Sequence, residues 1–172
     1  MQMIKVAAVS KAYHGKTAVE GITFSVEAGH VIGLLGPNGA GKTTTMSIMT
    51  GMMPPDSGEV LFDGVALSAD SEYGIKAKIG FLSEANPLYD EMLVEEYLEH
   101  MAGLRGMDKQ QRATAITRVA KETGIEDKLR QPIEELSKGY KQRVGLAQAI
   151  LHEPEILILD ENTEENNGTI VS

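Results

Sequence analysis

Gly36-Pro37-Asn38-Gly39-Ala40-Gly41-Lys42-Thr43, followed by Thr44, decides the reading of this chain. It matches the phosphate-loop pattern G-x-x-x-x-G-K-[ST] at every fixed position. Val31-Ile32-Gly33-Leu34-Leu35 before it reads as a buried strand, and Thr44 to Thr50 after it as a helix stopped at Gly51. Glycines at 36, 39 and 41 allow backbone conformations and approaches that a Cβ would block. Successive N–H groups can then converge on phosphate oxygens, and the following helix adds its positive end at the same place. Lys42 is placed to reach the β- and γ-phosphates and the Thr43 hydroxyl to ligate Mg²⁺. One charge pair at about 4 Å is worth roughly 4 kcal/mol at an effective dielectric near 20.

The bulk numbers set wide bounds around that loop. A chain of 172 residues with 42% hydrophobic and 24% charged content is ordinary for one globular domain. Its formal charge of −9 argues against general nucleic-acid binding, which requires a basic face, and leaves a local phosphate site open. The absence of cysteine excludes disulfides and thiolate metal sites. No apolar run is long enough for a bilayer, and Met1 to Lys5 lacks a signal peptide's apolar region, so no direct membrane insertion is expected.

Along the chain, Ile4 to Val9 and Ile22 to Val26 read as strands, with Tyr13 in the loop between them. Glu59 to Phe62 is a short strand, Asp63-Gly64 a hairpin turn into Val65-Ala66-Leu67, and Ile79 to Leu82 another strand before the polar loop Ser83 to Pro87. From there to Leu136 the pattern is helical. One helix carries Leu93, Val94, Tyr97, Leu98 and Met101; a second opens on Asp108, buries Ala113, Ile116, Val119 and Ala120, and stops at Gly124. Met92, Met101 and Met107 read as core or interface fillers.

Leu136-Ser137-Lys138-Gly139-Tyr140 then opens a helix to Leu151, with Ser137 as its N-cap and Val144, Leu146, Ala147, Ile150 and Leu151 inward. Glu155-Ile156-Leu157-Ile158-Leu159-Asp160-Glu161 is an apolar strand ending in two carboxylates. Apolar residues on both faces indicate a central parallel strand, and ligands of such sheets bind at the strands' carboxyl ends. Asp160 is thereby placed near the phosphate loop to hold Mg²⁺ through water, and Glu161 to orient or deprotonate an attacking water as general base.

The phosphate loop, Leu136 to Tyr140 and Ile156 to Glu161 together resemble the Walker A, signature and Walker B motifs of ABC-transporter ATP-binding subunits, in order and spacing, from about Ile4 to Glu161. Asn86-Pro87-Leu88-Tyr89, Ala102-Gly103-Leu104-Arg105-Gly106 and the Lys-Gly-Tyr signature look like bacterial multidrug or gliding-motility-type exporters. The resemblance implies an α/β fold: a P-loop NTPase core with a mostly parallel sheet, an antiparallel β subdomain at the N-terminus, and a helical insert over about residues 84–136. It implies an ATP site of Tyr13, stacked on adenine, with Gly36, Pro37, Asn38, Gly39, Ala40, Gly41, Lys42, Thr43 and Thr44. Glu161 and Lys42 would be catalytic; Thr43, Asp160 and Glu84 would face Mg²⁺, Glu84 standing where the family's Q-loop usually has glutamine. Ser137, Lys138 and Gly139 match the signature that touches ATP bound to a second subunit, and Tyr140 replaces its usual glutamine. Two copies would sandwich two ATP molecules and hydrolyse them to drive export. The helical insert would face a membrane permease, placing the chain on the cytoplasmic side of the membrane.

The match to the family pattern stops after Glu161. Asn162 stands where a proline is expected, Glu164 to Gly168 holds no D-loop, and His14, His30, His100 and His152 all precede Asp160, so none can be the switch histidine. The expectation is a domain over 1–161 with a truncated or frameshifted end, and a divergent, disordered polar tail over 162–172. Two further readings stay open: a nucleotide-binding fragment without effective hydrolysis, and an ABC ATPase of a non-transport assembly. A small GTPase or nucleotide kinase needs no Ser137-Lys138-Gly139 before the Asp-Glu strand.

Overall fold

A computed structural model describes residues 2–160 and 168–171. The chain opens with a long hairpin, β1 (Gln2–Tyr13) and β2 (Lys16–Glu27), turned at His14-Gly15. Tyr13 is therefore the last residue of β1, paired with Lys16, and not a loop residue. The alternation at Ile22 to Val26 breaks toward the start of β2, where Glu20 and Gly21 are both exposed beside buried Val19, because the β1–β2 register shifts between Val6 and Ala12. β4 (Ser57–Phe62) adds to the other side of β1, and β5 (Val65–Ala66) follows through the Asp63-Gly64 turn, giving an antiparallel sheet in the order β2-β1-β4-β5.

The second sheet has the order β3-β8-β7-β6, from β3 (Ile32–Leu35), β6 (Ile79–Leu82), β7 (Ile156–Leu159) and β8 (Gly168–Val171). β6 and β7 are parallel, while β8 runs antiparallel to both β3 and β7. Since β3 and β7 both oppose β8, they share one direction with β6, and three of the four strands point the same way. This is the α/β architecture with an antiparallel N-terminal sheet that the motifs implied. Glu161, the intended base, lies outside the described residues, as do 162–167 of the tail; 168–171 form β8.

β3 departs from its reading as a buried strand. Ile32 and Leu34 pack on the core, but Val31 is 63% and Leu35 80% exposed. The reason is position: β3 is an edge strand with one face covered. β7, paired on both sides, buries Ile156 and Ile158 as its apolar run requires.

Two apolar cores result. One joins the sheets around α1 (Lys42–Met49) through Val6, Met46, Ile48, Met49, Val60 and Ile158. The other packs α3 (Val94–Leu104), α4 (Lys109–Thr123) and α5 (Lys138–Ile150) through Leu98, Val119, Ile125, Ile133, Val144 and Leu151. Met92, Met101 and Met107 are partly buried against this helical core. In α4 the buried face holds Ala115, Ile116, Val119 and Ala120; Ala113 is exposed, because it lies on the far side of the helix from Ala115. Helix α2 (Glu72–Ala77) was not anticipated; its six residues bury only Ile75 and carry no apolar period. Gly80 lets β6 approach α5, since a Cβ there would meet the Ala149 carbonyl and Pro154.

The Asp108 carboxylate accepts from the Gln111 N–H at 2.9 Å, and the Gln111 side chain accepts from the Asp108 N–H at 2.8 Å, a reciprocal cap on α4. Asp108→Ala is expected to cost about 1 kcal/mol in urea unfolding. An unchanged midpoint would show that the cap contributes nothing here.

Candidate functional site

Among the described residues, no side chain closes the start of α1. Its N-cap is Gly41 at φ 85°, with no side-chain cap and no acidic residue in the first turn. α4 is closed by Asp108 and α5 by Ser137, whose hydroxyl accepts from the Tyr140 N–H at 3.4 Å. The first N–H groups of α1 therefore await an external acceptor. Gly41 is confined by more than its left-handed φ: a Cβ there would meet the Ala18 carbonyl and Val19 of β2. That contact presses the phosphate loop against the hairpin.

Around this helix end lies a cavity of about 580 Å³ lined by Tyr13, the loop from Pro37 to Thr44, Glu84 and Asp160. β1 delivers Tyr13, the loop after β6 delivers Glu84, and Asp160 follows β7, its N–H bonded to the Leu82 carbonyl at 2.8 Å. Residues far apart in sequence thus converge where the three strands end. Lys16, Thr17 and Ala18 also line the space and were missed. Only the hairpin pairing of Tyr13 with Lys16 brings them there, and an unplaced turn hides such a pairing in the sequence. Gly36 sits behind the loop, where a Cβ would lie 3.0 Å from the Ala40 Cβ. Ser137, Lys138 and Gly139 are exposed and do not line this cavity.

The Lys42 ammonium is folded onto the loop, donating to the Gly36 carbonyl and, at 3.2 Å, to the Pro37 carbonyl. These neutral acceptors are weaker partners than phosphate oxygens, so an entering polyphosphate can recruit the same ammonium. Thr43 donates its hydroxyl to Asp160 at 3.5 Å. Asp160 is only 6% exposed. Burial pushes its carboxyl above the ordinary range; the Thr43 hydroxyl pulls it down, nearby Glu84 pushes it up and Lys42 pulls it down. The net direction is upward.

These residues fit a hard divalent ion bound jointly with phosphates. Among the described residues no group of three or more His, Cys, Asp or Glu side chains could hold a metal. Thr43, Asp160 and Glu84 supply oxygen donors on one side of the cavity, and Mg²⁺ characteristically takes few protein ligands and completes its shell with water and phosphate oxygens. A larger cleft, about 990 Å³, lies elsewhere, lined by Lys76, Arg105, Arg118 and His152 among others. It contains none of the phosphate-loop residues, so of these two spaces the smaller one has the chemistry that suits a phosphate.

Residues 19–164 match a protein-family model described as ABC transporter. The chain is 35% identical over 161 residues to the linearmycin resistance ATP-binding protein LnrL of Bacillus subtilis, covering 94% of this chain and 51% of the relative. It is 36% identical over 163 residues to the SkfA peptide export ATP-binding protein SkfE of the same organism, covering 95% and 67%. Among solved structures it resembles cbiO1 from Clostridium perfringens, part of the ABC transporter complex cbiONQ, with a TM-score of 0.80 at 29% identity over 96% of this chain and 67% of that one. The chain thus spans about half to two thirds of the length of these relatives.

Asp160→Asn tests the effect of burying this carboxylate and its expected part in metal binding separately. A raised acid pKa means that ionisation at neutral pH works against the ligand-free fold, so the variant is expected to melt a few degrees higher near pH 7 and to lose that advantage at acid pH. The expectation that Asp160 ligates Mg²⁺ requires its ionised form; under it, the Mg²⁺-dependent gain in nucleotide affinity of the unmodified chain should fall as pH drops through the raised pKa, and Asp160→Asn should lack that gain. Calorimetric titrations with and without Mg²⁺ measure it; an unaltered Mg²⁺ effect in the variant would exclude Asp160 from the metal site.

Proposed function

This chain belongs to the ABC transporter family, and on that premise we propose that it is an energy-coupling ATP-binding subunit of an exporter. In this reading it binds MgATP at the open end of α1. A second copy would supply Ser137, Lys138 and Gly139 to that ATP, and a membrane permease, docked through the helical segment, would place the chain on the cytoplasmic face. The observation that carries the nucleotide reading is the uncapped N-terminus of α1 facing one cavity with Lys42, Thr43, Asp160 and Tyr13. The exposure of Ser137 to Gly139, away from the chain's own cavity, supports their use by another molecule. Multidrug-type and peptide-export relatives support the exporter role. Among the described residues no helix is long and apolar enough to cross a membrane.

In this account the loop amides from Gly39 to Thr43 and the α1 end hold the β- and γ-phosphates, and Lys42 leaves its carbonyl acceptors to neutralise charge on the transferring group. Thr43, Asp160 and Glu84 would hold Mg²⁺, and the ion would supply charge neutralisation for the phosphates. Glu161, next to Asp160 in sequence, orients the attacking water and takes its proton. Tyr13 stacks on adenine.

Single-turnover cleavage of radiolabelled ATP tests the hydrolytic part. Glu161→Gln should bind MgATP as tightly as the unmodified chain while slowing phosphate release at least about 100-fold, the scale of general-base catalysis. Equal cleavage rates would remove Glu161 from the mechanism.

A further inference from the structure

Tyr13 is 41% exposed, yet its ring is held by a specific partner. Its hydroxyl donates to the Met53 thioether at 2.9 Å. Met53 lies on the turn leaving α1, and that turn is locked to the helix: Gly51 N–H bonds to Ile48 O at 3.1 Å, and Met52 and Met53 N–H both bond to Ser47 O, at 2.8 and 3.2 Å. Three residues on, Asp56 grips the end of β1 at several points. Its N–H donates to Ser10 O at 2.9 Å, its carboxylate accepts from Ala12 N–H at 2.8 Å, and Lys11 pairs with it at 2.7 Å. The Lys11 ammonium and the Ala12 N–H both hold the Asp56 carboxyl below the ordinary range, so the grip is charged at neutral pH.

One element thus bears on two parts of the cavity wall, directly at its start and, at its exit turn, through Tyr13, since Met53 itself lies outside that cavity. The entrance of α1 carries Lys42 and Thr43, and its exit turn fixes the tyrosine that lines the same space. Eight helical residues set a spacing of about 12 Å along the axis. A core-packing role does not account for a bond to the hydroxyl of a ring this exposed; orientation of the ring over the cavity does.

We propose that Met53 and Asp56 are positioning residues for the nucleoside: the exit turn of α1 holds Tyr13 at a fixed height from the phosphate loop, so that the cavity measures a base plus a triphosphate and not a polyphosphate alone. This rests on the nucleotide reading above and on Tyr13 as the base-stacking residue. The phosphate end acts through α1 itself, so disturbing the turn should touch only the base end.

The test compares the affinities of MgATP and Mg-tripolyphosphate for the unmodified chain and for Met53→Leu, Tyr13→Phe, Asp56→Ala and Asp56→Asn. Met53→Leu and Tyr13→Phe should each weaken MgATP about three- to tenfold, the scale of one net hydrogen bond, with tripolyphosphate unchanged. The double variant should be no weaker than either single one, because both remove the same contact. Asp56→Asn, which keeps an acceptor for Ala12 N–H, should lose less than Asp56→Ala. Equal weakening of both ligands would mean a general structural role, and unchanged ATP affinity in Met53→Leu and Asp56→Ala would mean none; either overturns the proposal while leaving nucleotide binding intact. If the unmodified chain binds neither ligand, the nucleotide reading falls first and this one with it.

Discussion

The structure turns on a helix that starts without a partner. α4 and α5 close their first N–H groups with Asp108 and Ser137, whereas α1 begins at a left-handed glycine and leaves its positive end facing a cavity. An open helix end in a loop of three glycines forgoes the stabilisation of a cap, typically ~1 kcal/mol. The same vacancy makes a set of fixed donors for an anion. Lys42 is folded onto two neutral loop carbonyls and burial pushes the Asp160 carboxyl up, so a phosphate would offer the first, and a cation the second, a stronger partner.

The surrounding architecture keeps that vacancy in shape. Gly41 sits where any side chain would run into Ala18 and Val19, so the phosphate loop rests directly on the hairpin. The buried face of α1, from Thr45 to Met49, anchors it between the sheets. β7, central and apolar on both faces, brings Asp160 to the same strand ends as the loop. β8 lies between β3 and β7, so the strand leading to the phosphate loop and the strand leading to Asp160 are joined through residues 168–171. β3, left at the sheet edge, shows Val31 and Leu35 to solvent.

Features set by short-range chemistry were legible in the residues. The phosphate loop, the Asp108 cap, the Asp63-Gly64 turn and the Gly124 stop each depend on a few neighbouring side chains or a φ that only certain residues adopt. The strand through Ile156 to Leu159 was legible because burial on both faces demands continuous apolarity. Long-range features were not. The exposure of Leu35 depends on what covers a sheet face, and the place of Lys16 to Ala18 in the cavity on hairpin register. α2 is too short to show a period, and the step from Ala113 to Ala115 on α4 is set by which side meets α5 and α3. The tie from Tyr13 to Met53 spans forty residues and follows no motif spacing.

The most direct measurement is a calorimetric titration of the folded chain with MgATP, beside Lys42→Ala shown by circular dichroism and thermal melting to keep its fold. The account predicts one nucleotide per chain for the unmodified protein and at least about tenfold weaker binding for the variant, since one charge-assisted contact to phosphate is worth on the order of 1.5–3 kcal/mol. Equal affinities in two equally folded samples would contradict it.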